Sequence, residues 1–317
     1  MKKKFFIKPA NKKRRRCSLP WESPKSSEED PKASKYIEAI QNSSSYAIAE
    51  EDKQFLASDE TRSIRLQLDY LKAELTLHRH KISKTIVVFG STRIKERNSA
   101  LKVLEAAKKA LNKEPESKKL IQKVQIAERL LENSKYYDVA REFGRLVGEE
   151  CKNNKEDKIA LATGGGPGIM EAANRGAFDM GAETIGYNIS LPHEQFPNPY
   201  ITPELCFQFH YFSTRKMHFL KRACGLLVFP GGYGTLDEFF EVLMLVQTRK
   251  MSPLPVILIG EEYWRGLIDF DRFVMEGVID PEDSELFWFA DSAEEAWEGM
   301  KKWHISNKTP LFNHTSS

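Results

Sequence analysis

Residues 225–238 read GLLVFPGGYGTLDE, a pattern that combines a buried strand, a glycine-rich turn and the start of a helix. An apolar run typical of a buried strand, Gly225–Phe229, leads into a glycine-rich turn, after which Thr235 opens a helix. The glycines let main-chain N–H groups turn toward an anion, which the N-terminus of a helix favours. Glu238 lies one helical turn after Thr235 and shares its face. The stretch predicts a phosphate site with a carboxylate beside it; the alternative is a plain strand-to-helix turn with an acidic first turn.

Two further small-residue loops follow predicted strands. The strand Ile159–Thr163 leads into GGGPG at 164–168 and then into a helical pattern with Glu171 in its first turn. Phe89-Gly90-Ser91-Thr92 closes another strand with hydroxyls suited to a phosphate or a ribose. No Gly-x-Gly-x-x-Gly follows the first strand, and no Gly-Lys-Ser/Thr of a Walker loop occurs. NAD and ATP are therefore disfavoured as ligands.

Strand and helix patterns alternate after Thr85. This alternation predicts an α/β fold of Rossmann-like, doubly wound type, in which a parallel sheet carries helices on both faces. The three loops then leave the carboxyl ends of strands, where open α/β sheets bind ligands. The predicted strands, each followed by a helix, are 85–89, 159–163, 184–188, 206–209, 226–229, 256–259 and 286–289.

The segments outside this pattern are assigned as follows. Residues 1–60 are rich in Lys, Ser, Glu and Pro and lack a sustained apolar period, so we predict a disordered extension. In residues 61–83, apolar side chains recur at roughly helical spacing, which predicts an amphipathic helix that packs on the body or on a second subunit. The catalytic domain is placed at 84–305, with a charged, helical insertion over about 93–134 and a tail at 306–317.

The charges are unevenly distributed. Residues 1–20 carry nine Lys or Arg and no acid, whereas the other 297 residues carry 39 basic and 45 acidic side chains. An acidic body argues against a nucleic-acid-binding fold, although Lys12–Arg16 could touch phosphates or act as a localisation signal. No secretory signal or membrane span is recognisable, so we expect a soluble, cytoplasmic protein. The four widely spaced cysteines indicate neither a zinc site nor a disulfide framework.

A basic pair precedes the strand of the glycine motif. Arg215 and Lys216 point about 100° apart on a helix, so one can face a ligand while the other braces a neighbour. Arg215-Lys216 followed by Pro230-Gly-Gly-Tyr-Gly-Thr-Leu-Asp-Glu238 resembles the signature of the Lonely Guy family, nucleoside 5′-monophosphate phosphoribohydrolases formerly called lysine decarboxylases. The resemblance covers about residues 84–290.

The resemblance implies a role for each motif residue. The phosphate would be held by Gly231, Gly232, Gly234 and Thr235, and Arg215 and Glu238 would be catalytic. A carboxylate suits the oxocarbenium-like centre that forms when a ribosyl N-glycosidic bond breaks, and an arginine suits the departing base but is too basic to release a proton readily. The remaining nucleotide cradle is assigned to Gly90, Ser91, Gly165, Gly166, Gly168, Glu171 and Lys216.

Departures from the short members of the family bear on the substrate. The loop GGGPGIMEAANRGA resembles that of larger bacterial nucleotide nucleosidases, and the N-terminal extension and the insertion are absent from the short forms. We therefore expect hydrolysis of AMP or an N6-modified AMP rather than cytokinin production specifically. His193-Glu194 and Asn198-Pro199-Tyr200 lie where a base-contacting segment could sit, although such residues more often finish a turn.

Two other functions are weighed against hydrolysis. A nucleotide or molybdenum-cofactor carrier of the same fold would lack part of the Arg215 and Glu238 pair, which is complete here. The second alternative is a DNA-binding protein that contacts DNA through its basic tail. The acidic charge of the rest of the chain argues against this function. The predicted reaction needs no metal or cofactor. Because the helix after the motif is apolar over more than one face, a homodimer or a larger homo-oligomer is expected.

Overall fold

The computed structural model describes Leu19 and residues 21–152, 158–192 and 196–312. The basic run Lys12–Arg16, the pair His193-Glu194 and residues 313–317 of the predicted tail lie outside the described residues. The chain divides into two compact units, one ending at Arg65 and one beginning at Leu66. No helix among the described residues is both long and apolar enough to cross a lipid bilayer.

The described part of the first unit contains two short α-helices, α1 (Ala33–Gln41) and α2 (Lys53–Leu56), and a 3₁₀ turn, Ser44–Tyr46, within the segment for which the sequence predicts disorder. Asp52 caps α2, because its carboxylate accepts hydrogen bonds from the N–H groups of Gln54 and Phe55, each at 3.0 Å. The disorder prediction rests on the lack of a sustained apolar period, but helices of nine and four residues form without one. The next helix, α3 (Arg62–Arg79), lies in the range 61–83 and continues into the second unit.

The second unit is built on a seven-stranded parallel sheet with the strand order β4-β3-β2-β1-β5-β6-β7. The Rossmann-like α/β fold predicted from the sequence is confirmed. The strands are β1 (Ile82–Phe89), β2 (Lys158–Thr163), β3 (Thr184–Ile189), β4 (Cys206–Phe209), β5 (Ala223–Val228), β6 (Val256–Ile259) and β7 (Trp288–Ala290).

Helices cover both faces of the sheet. On one face, Phe143, Ala173 and Trp297 belong to one buried apolar cluster, and on the other face Leu77, Phe219 and Phe239 belong to a second. The remaining helices are α4 (Arg97–Leu111), α5 (Lys118–Glu132), α6 (Lys135–Cys151), α7 (Ile169–Asp179), α8 (Phe212–Lys221), α9 (Tyr233–Gln247), α10 (Glu261–Leu267), α11 (Phe270–Met275) and α12 (Ala293–Ser306).

Several elements of the second unit differ from the sequence prediction; strand β1, for example, begins at Ile82 rather than at 85. In the described part of the β3–β4 connection the regular element is a 3₁₀ turn, Pro203–Leu205, instead of the predicted helix. Strand β5 begins at Ala223 rather than at 226, because Gly225 interrupts the apolar pattern although the strand is buried there. Strand β7 begins at Trp288 rather than at 286, because a 3₁₀ helix, Pro281–Leu286, occupies the residues before it.

The insertion consists of α4 and α5, which pack against each other through Leu104, Val124 and Ala127. Glu96, which precedes α4, forms an ion pair of 2.9 Å with Arg175 on α7. The insertion is thus tethered to the helix that follows the second glycine loop.

The strand order reverses between β1 and β5, which are adjacent although three strands separate them in the chain. Such a switch point opens a crevice at the carboxyl ends of the strands. Ser91, after β1, donates its N–H to the carbonyl of Pro230 at 3.0 Å and accepts at its own carbonyl from the N–H of Ile169 at 3.1 Å. These bonds hold all three small-residue loops together at one edge of the sheet.

Candidate active site

The glycine motif forms an open helix N-terminus. Helix α9 begins at Tyr233, and its N-cap residue Gly232 provides no side-chain hydrogen bond. Gly232 and Gly234 are exposed, whereas Thr235 is buried beneath the turn. The unsatisfied N–H groups of a first helical turn carry partial positive charge, so this turn is suited to an anion such as a phosphate.

Gly231 is required by close packing. A Cβ atom at Gly231 would lie 2.1 Å from Oγ1 and 2.7 Å from Cβ of Thr235. The carbonyl of Gly231 also accepts a hydrogen bond of 2.9 Å from the hydroxyl of Tyr263 on α10. The close contact with Thr235 and the hydrogen bond from Tyr263 therefore fix the conformation of the turn at Gly231.

We expect Gly231→Ala to lower the free energy of unfolding by about 1–3 kcal/mol, because the added methyl group must displace the first turn of α9. Gly266→Ala is the matched control, since nothing lies within 4 Å of the added Cβ atom there. Urea denaturation of both variants measures the difference. Equal stability of the two variants would contradict the packing argument.

Glu238 is a buried carboxyl group. Its side chain is 4% exposed, and Oε2 has no hydrogen-bond partner among the described residues. Burial raises the pKa of Glu238 to about 7, against the opposing effects of Lys216 and Arg215. Because desolvation outweighs both cations, the carboxyl group can take up and release a proton near neutral pH, which a general base requires.

Arg215 faces Glu238 from α8. The shortest approach joins Nη2 of Arg215 to Oε1 of Glu238 at 3.8 Å, which is longer than a hydrogen bond. The guanidinium group lies over the rings of Phe212 and Phe219, at 5.0 and 5.3 Å from their centroids. Its Nε has no partner among the described residues, and burial lowers the pKa of Arg215. A half-buried guanidinium group thus faces a buried carboxyl group, and Nε of Arg215 and Oε2 of Glu238 are both without a hydrogen-bond partner among the described residues.

Lys216 has a different environment from Arg215. Its Nζ contacts Oδ2 of Asp237 and Oε2 of Glu241, each at 2.7 Å, and lies 3.7 Å from Oε2 of Glu238. Both close partners belong to α9, so Lys216 braces α8 against α9. Its assignment to nucleotide binding stays a prediction.

The other two loops are closely packed. Gly165 and Gly168 adopt φ angles of +71° and +76°, which favour glycine, and a Cβ atom at Gly90 would lie 2.6 Å from Cγ2 of Ile169. Gly165, Gly166 and Gly168 are buried. These glycines therefore have structural reasons to be present, and their contact with a nucleotide stays a prediction.

Asn198 is a site-building residue whose role the sequence left open. Its N–H donates to the carbonyl of Gly165 at 2.8 Å, and its Nδ2 donates to the carbonyl of Gly166 at 3.1 Å. The side chain of Asn198 also contacts Asn174, which is fully buried. Asn198 thus fixes the second glycine loop from inside the protein.

Glu171 lies in the first turn of α7 and is only partly buried. Its Oε1 accepts a hydrogen bond of 2.9 Å from the hydroxyl of Tyr137 on α6. The carboxylate is thus anchored at the edge of the loop cluster, and the predicted contact of Glu171 with the nucleotide stays a prediction.

Comparison with known proteins supports the resemblance. A family model described as possible lysine decarboxylase matches residues 170–300. The cytokinin riboside 5′-monophosphate phosphoribohydrolase LOG1 of Arabidopsis thaliana is 33% identical over 165 residues, which are 50% of this chain and 72% of that protein. The chain belongs to the Lonely Guy family.

Two other relatives are similar to this Lonely Guy protein over different shares of their own length. The probable phosphoribohydrolase LOG4 of rice, Oryza sativa subsp. japonica, is 30% identical over 44% of this chain and 61% of its own length. The pyrimidine/purine nucleotide 5′-monophosphate nucleosidase of Escherichia coli strain K12 is 29% identical over 54% of this chain and 38% of its own. The chain thus matches only part of the length of each relative, from 38% of the Escherichia coli nucleosidase to 72% of LOG1.

Proposed function

We propose that this protein hydrolyses the N-glycosidic bond of a nucleoside 5′-monophosphate, AMP or an N6-modified AMP, to the free base and ribose 5-phosphate. The observation that carries the proposal is the buried carboxyl group of Glu238, which faces Arg215 at 3.8 Å beside the open N-terminus of α9. The names of the relatives, which describe phosphoribohydrolases and a nucleosidase, support the same reaction.

The chemistry follows from the positions of these groups. The main-chain N–H groups of the first turn of α9 bind the 5′-phosphate, which places the ribose over the edge of the sheet. Glu238 accepts a proton from water as the water oxygen bonds to C1′. The C1′–N bond breaks, its electron pair passes to the base, and the base takes up a proton from the solvent. The carboxylate also stabilises the positive charge that develops at C1′.

Arg215 acts on the other side of the reacting bond. Its charge and unpartnered Nε stabilise the electron pair that accumulates on the departing base. Because an arginine does not release a proton readily, its role is electrostatic and positional.

The alternative function is a non-catalytic carrier of a nucleotide or a molybdenum cofactor. A carrier has no use for a carboxyl group whose burial raises its pKa to about 7 opposite an arginine. This observation favours the hydrolase.

The proposal is tested by incubating the purified full-length protein with a panel of nucleoside 5′-monophosphates and the matching nucleosides, while release of free base is followed by chromatography. The proposal predicts release from at least one purine monophosphate and not from its nucleoside, which lacks the phosphate. Tight binding without any release would support the carrier.

The pH dependence of kcat provides a second test. Glu238 must be ionised to act as a base, so kcat at saturating substrate is expected to rise about tenfold per pH unit up to about pH 7 and then to level off. The negative charge of a bound phosphate raises the pKa of Glu238 further, so the rise in kcat is expected at a higher pH rather than a lower one. An acid limb near 4.5, the ordinary value for Glu, would contradict the assignment.

We further propose that the protein is a cytoplasmic homodimer. Helix α9 buries Phe239 and Val242 in the sheet core, yet Phe240 and Met244 on its outer side are 39% and 48% exposed. These two side chains line an apolar groove of about 320 Å³ together with residues of α11. Light scattering of the wild type and of Met244→Glu tests whether a second copy covers this face: a dimer that the variant dissociates supports it, and a monomeric wild type contradicts it.

A further inference from the structure

The N-terminus of α8, which carries Arg215, is capped by a residue of another helix. Oδ1 of Asp69 on α3 accepts from the N–H of His210 at 3.0 Å, and Oδ2 accepts from the N–H of Tyr211 at 3.2 Å. The hydroxyl of Thr214 also donates to Oδ2 of Asp69. The N-cap residue of α8, Tyr211, offers no side-chain cap of its own. A carboxylate at this end of a helix satisfies free donors and complements the helix dipole.

The cap is connected directly to Arg215. The carbonyl of Tyr211 accepts a hydrogen bond of 3.2 Å from the N–H of Arg215 and one of 2.9 Å from the hydroxyl of Thr214. Asp69 therefore holds one side of the turn from which the Arg215 side chain projects. Arg215 itself does not form a hydrogen bond with Glu238, since their closest atoms are 3.8 Å apart. The position of Arg215 depends on its backbone more than on a bond to its partner.

The rest of α3 fastens the far end of α8. The carbonyl of Tyr70 lies 3.1 Å from Nε2 of the buried His218. Glu74 accepts from Lys221 at 2.8 Å and from both terminal nitrogens of Arg222 at 2.9 and 2.7 Å. These contacts attach α8 and its C-terminal end to α3. The contacts of Glu74, with Lys221 and Arg222, lie more than one helical turn from Arg215. They provide a natural comparison for Asp69.

We propose that Asp69 is a positioning residue for catalysis, which holds Arg215 at the correct distance from Glu238 by capping α8 from α3. This inference rests on the proposed hydrolase function. It gives Asp69 a role in positioning Arg215, although α3 contributes no group to the reacting atoms. A displacement of about 1 Å in a catalytic group can cost about 100-fold in rate, so a cap of this kind is sufficient to matter.

The test is a double-mutant cycle on the full-length protein with Asp69→Asn, Arg215→Ala and the combination of both. Asp69→Asn keeps the size of the side chain but presents an NH₂ group to one of the N–H donors. We expect kcat to fall about 10- to 100-fold with KM for the monophosphate nearly unchanged, because the phosphate site on α9 is not altered. In the Arg215→Ala background Asp69→Asn is expected to cause little further loss, because it acts through Arg215.

Glu74→Gln is the matched control, because it weakens the attachment of α3 to α8 without touching the cap. It is expected to lower Tm while leaving kcat within about twofold, which separates general stability from positioning. The proposal would be overturned if Asp69→Asn and Glu74→Gln lowered kcat equally. It would also be overturned if the losses caused by Asp69→Asn and Arg215→Ala were fully additive. Failure of the wild type to release base from any monophosphate would instead refute the hydrolase itself.

Discussion

Glu238→Gln is expected to lower kcat by about 10²–10⁴ with KM changed much less, because the variant can neither accept the proton of water nor place a negative charge beside C1′. The phosphate site proposed above consists of main-chain groups that the substitution does not alter. Steady-state release of base from AMP measures the effect. Glu241→Gln, one turn further along α9, removes a carboxylate that contacts Lys216 and is expected to retain most of the activity.

Glu238→Gln, which lowers activity, is expected to raise the stability of the fold relative to the wild type at higher pH. The pKa of Glu238 is raised in the folded protein, so its ionisation between about pH 4.5 and 7 destabilises the fold. Gln does not ionise. The stability of Glu238→Gln relative to the wild type should therefore increase from pH 5 to pH 8, as followed by Tm. An inactive variant that is less stable at pH 8 than at pH 5, relative to the wild type, would indicate a structural role instead.

Arg215→Ala is expected to lower kcat by about 10²–10³, the effect of removing one group that stabilises charge in a transition state. Arg215→Lys should recover only part of this loss, since an ammonium group lacks the planar set of donors that lies over Phe212 and Phe219. Single-turnover measurements with AMP separate this chemical step from product release.

The exposed Arg272 offers a matched control for charge. It pairs with Glu276 on the surface, and Arg272→Ala should leave kcat unaltered. If Arg215→Ala raised KM and left kcat unaltered, Arg215 would be a binding residue, and the assignment of electrostatic catalysis would be wrong.

The local features of the site could be predicted from the sequence because each has a local cause. Glycine at 165 and 168 reflects positive φ angles, and glycine at 231 reflects the close approach of Thr235. The strand order places the three loops together, and the alternating pattern was sufficient to predict their common edge. The pairing of Arg215 with Glu238 was predicted from the family resemblance, and the structure brings them to 3.8 Å.

The supporting contacts could not be predicted, because they join residues that are distant in the chain. Asp69 and His210 are 141 residues apart, and Tyr263 and Gly231 are 32 residues apart. An aspartate on an amphipathic helix and a tyrosine after a strand carry no pattern that identifies their partners. The burial of Glu238 was likewise invisible, since its acidic first turn is equally typical of a solvated helix.

A crystal structure of Glu238→Gln with AMP bound tests the role assigned to Glu238. We expect the phosphate oxygens to accept hydrogen bonds from the main-chain N–H groups at the start of α9, with C1′ of the ribose about 3–3.5 Å from a water held by residue 238. A phosphate bound elsewhere, or a ribose whose C1′ is out of reach of residue 238, would contradict it.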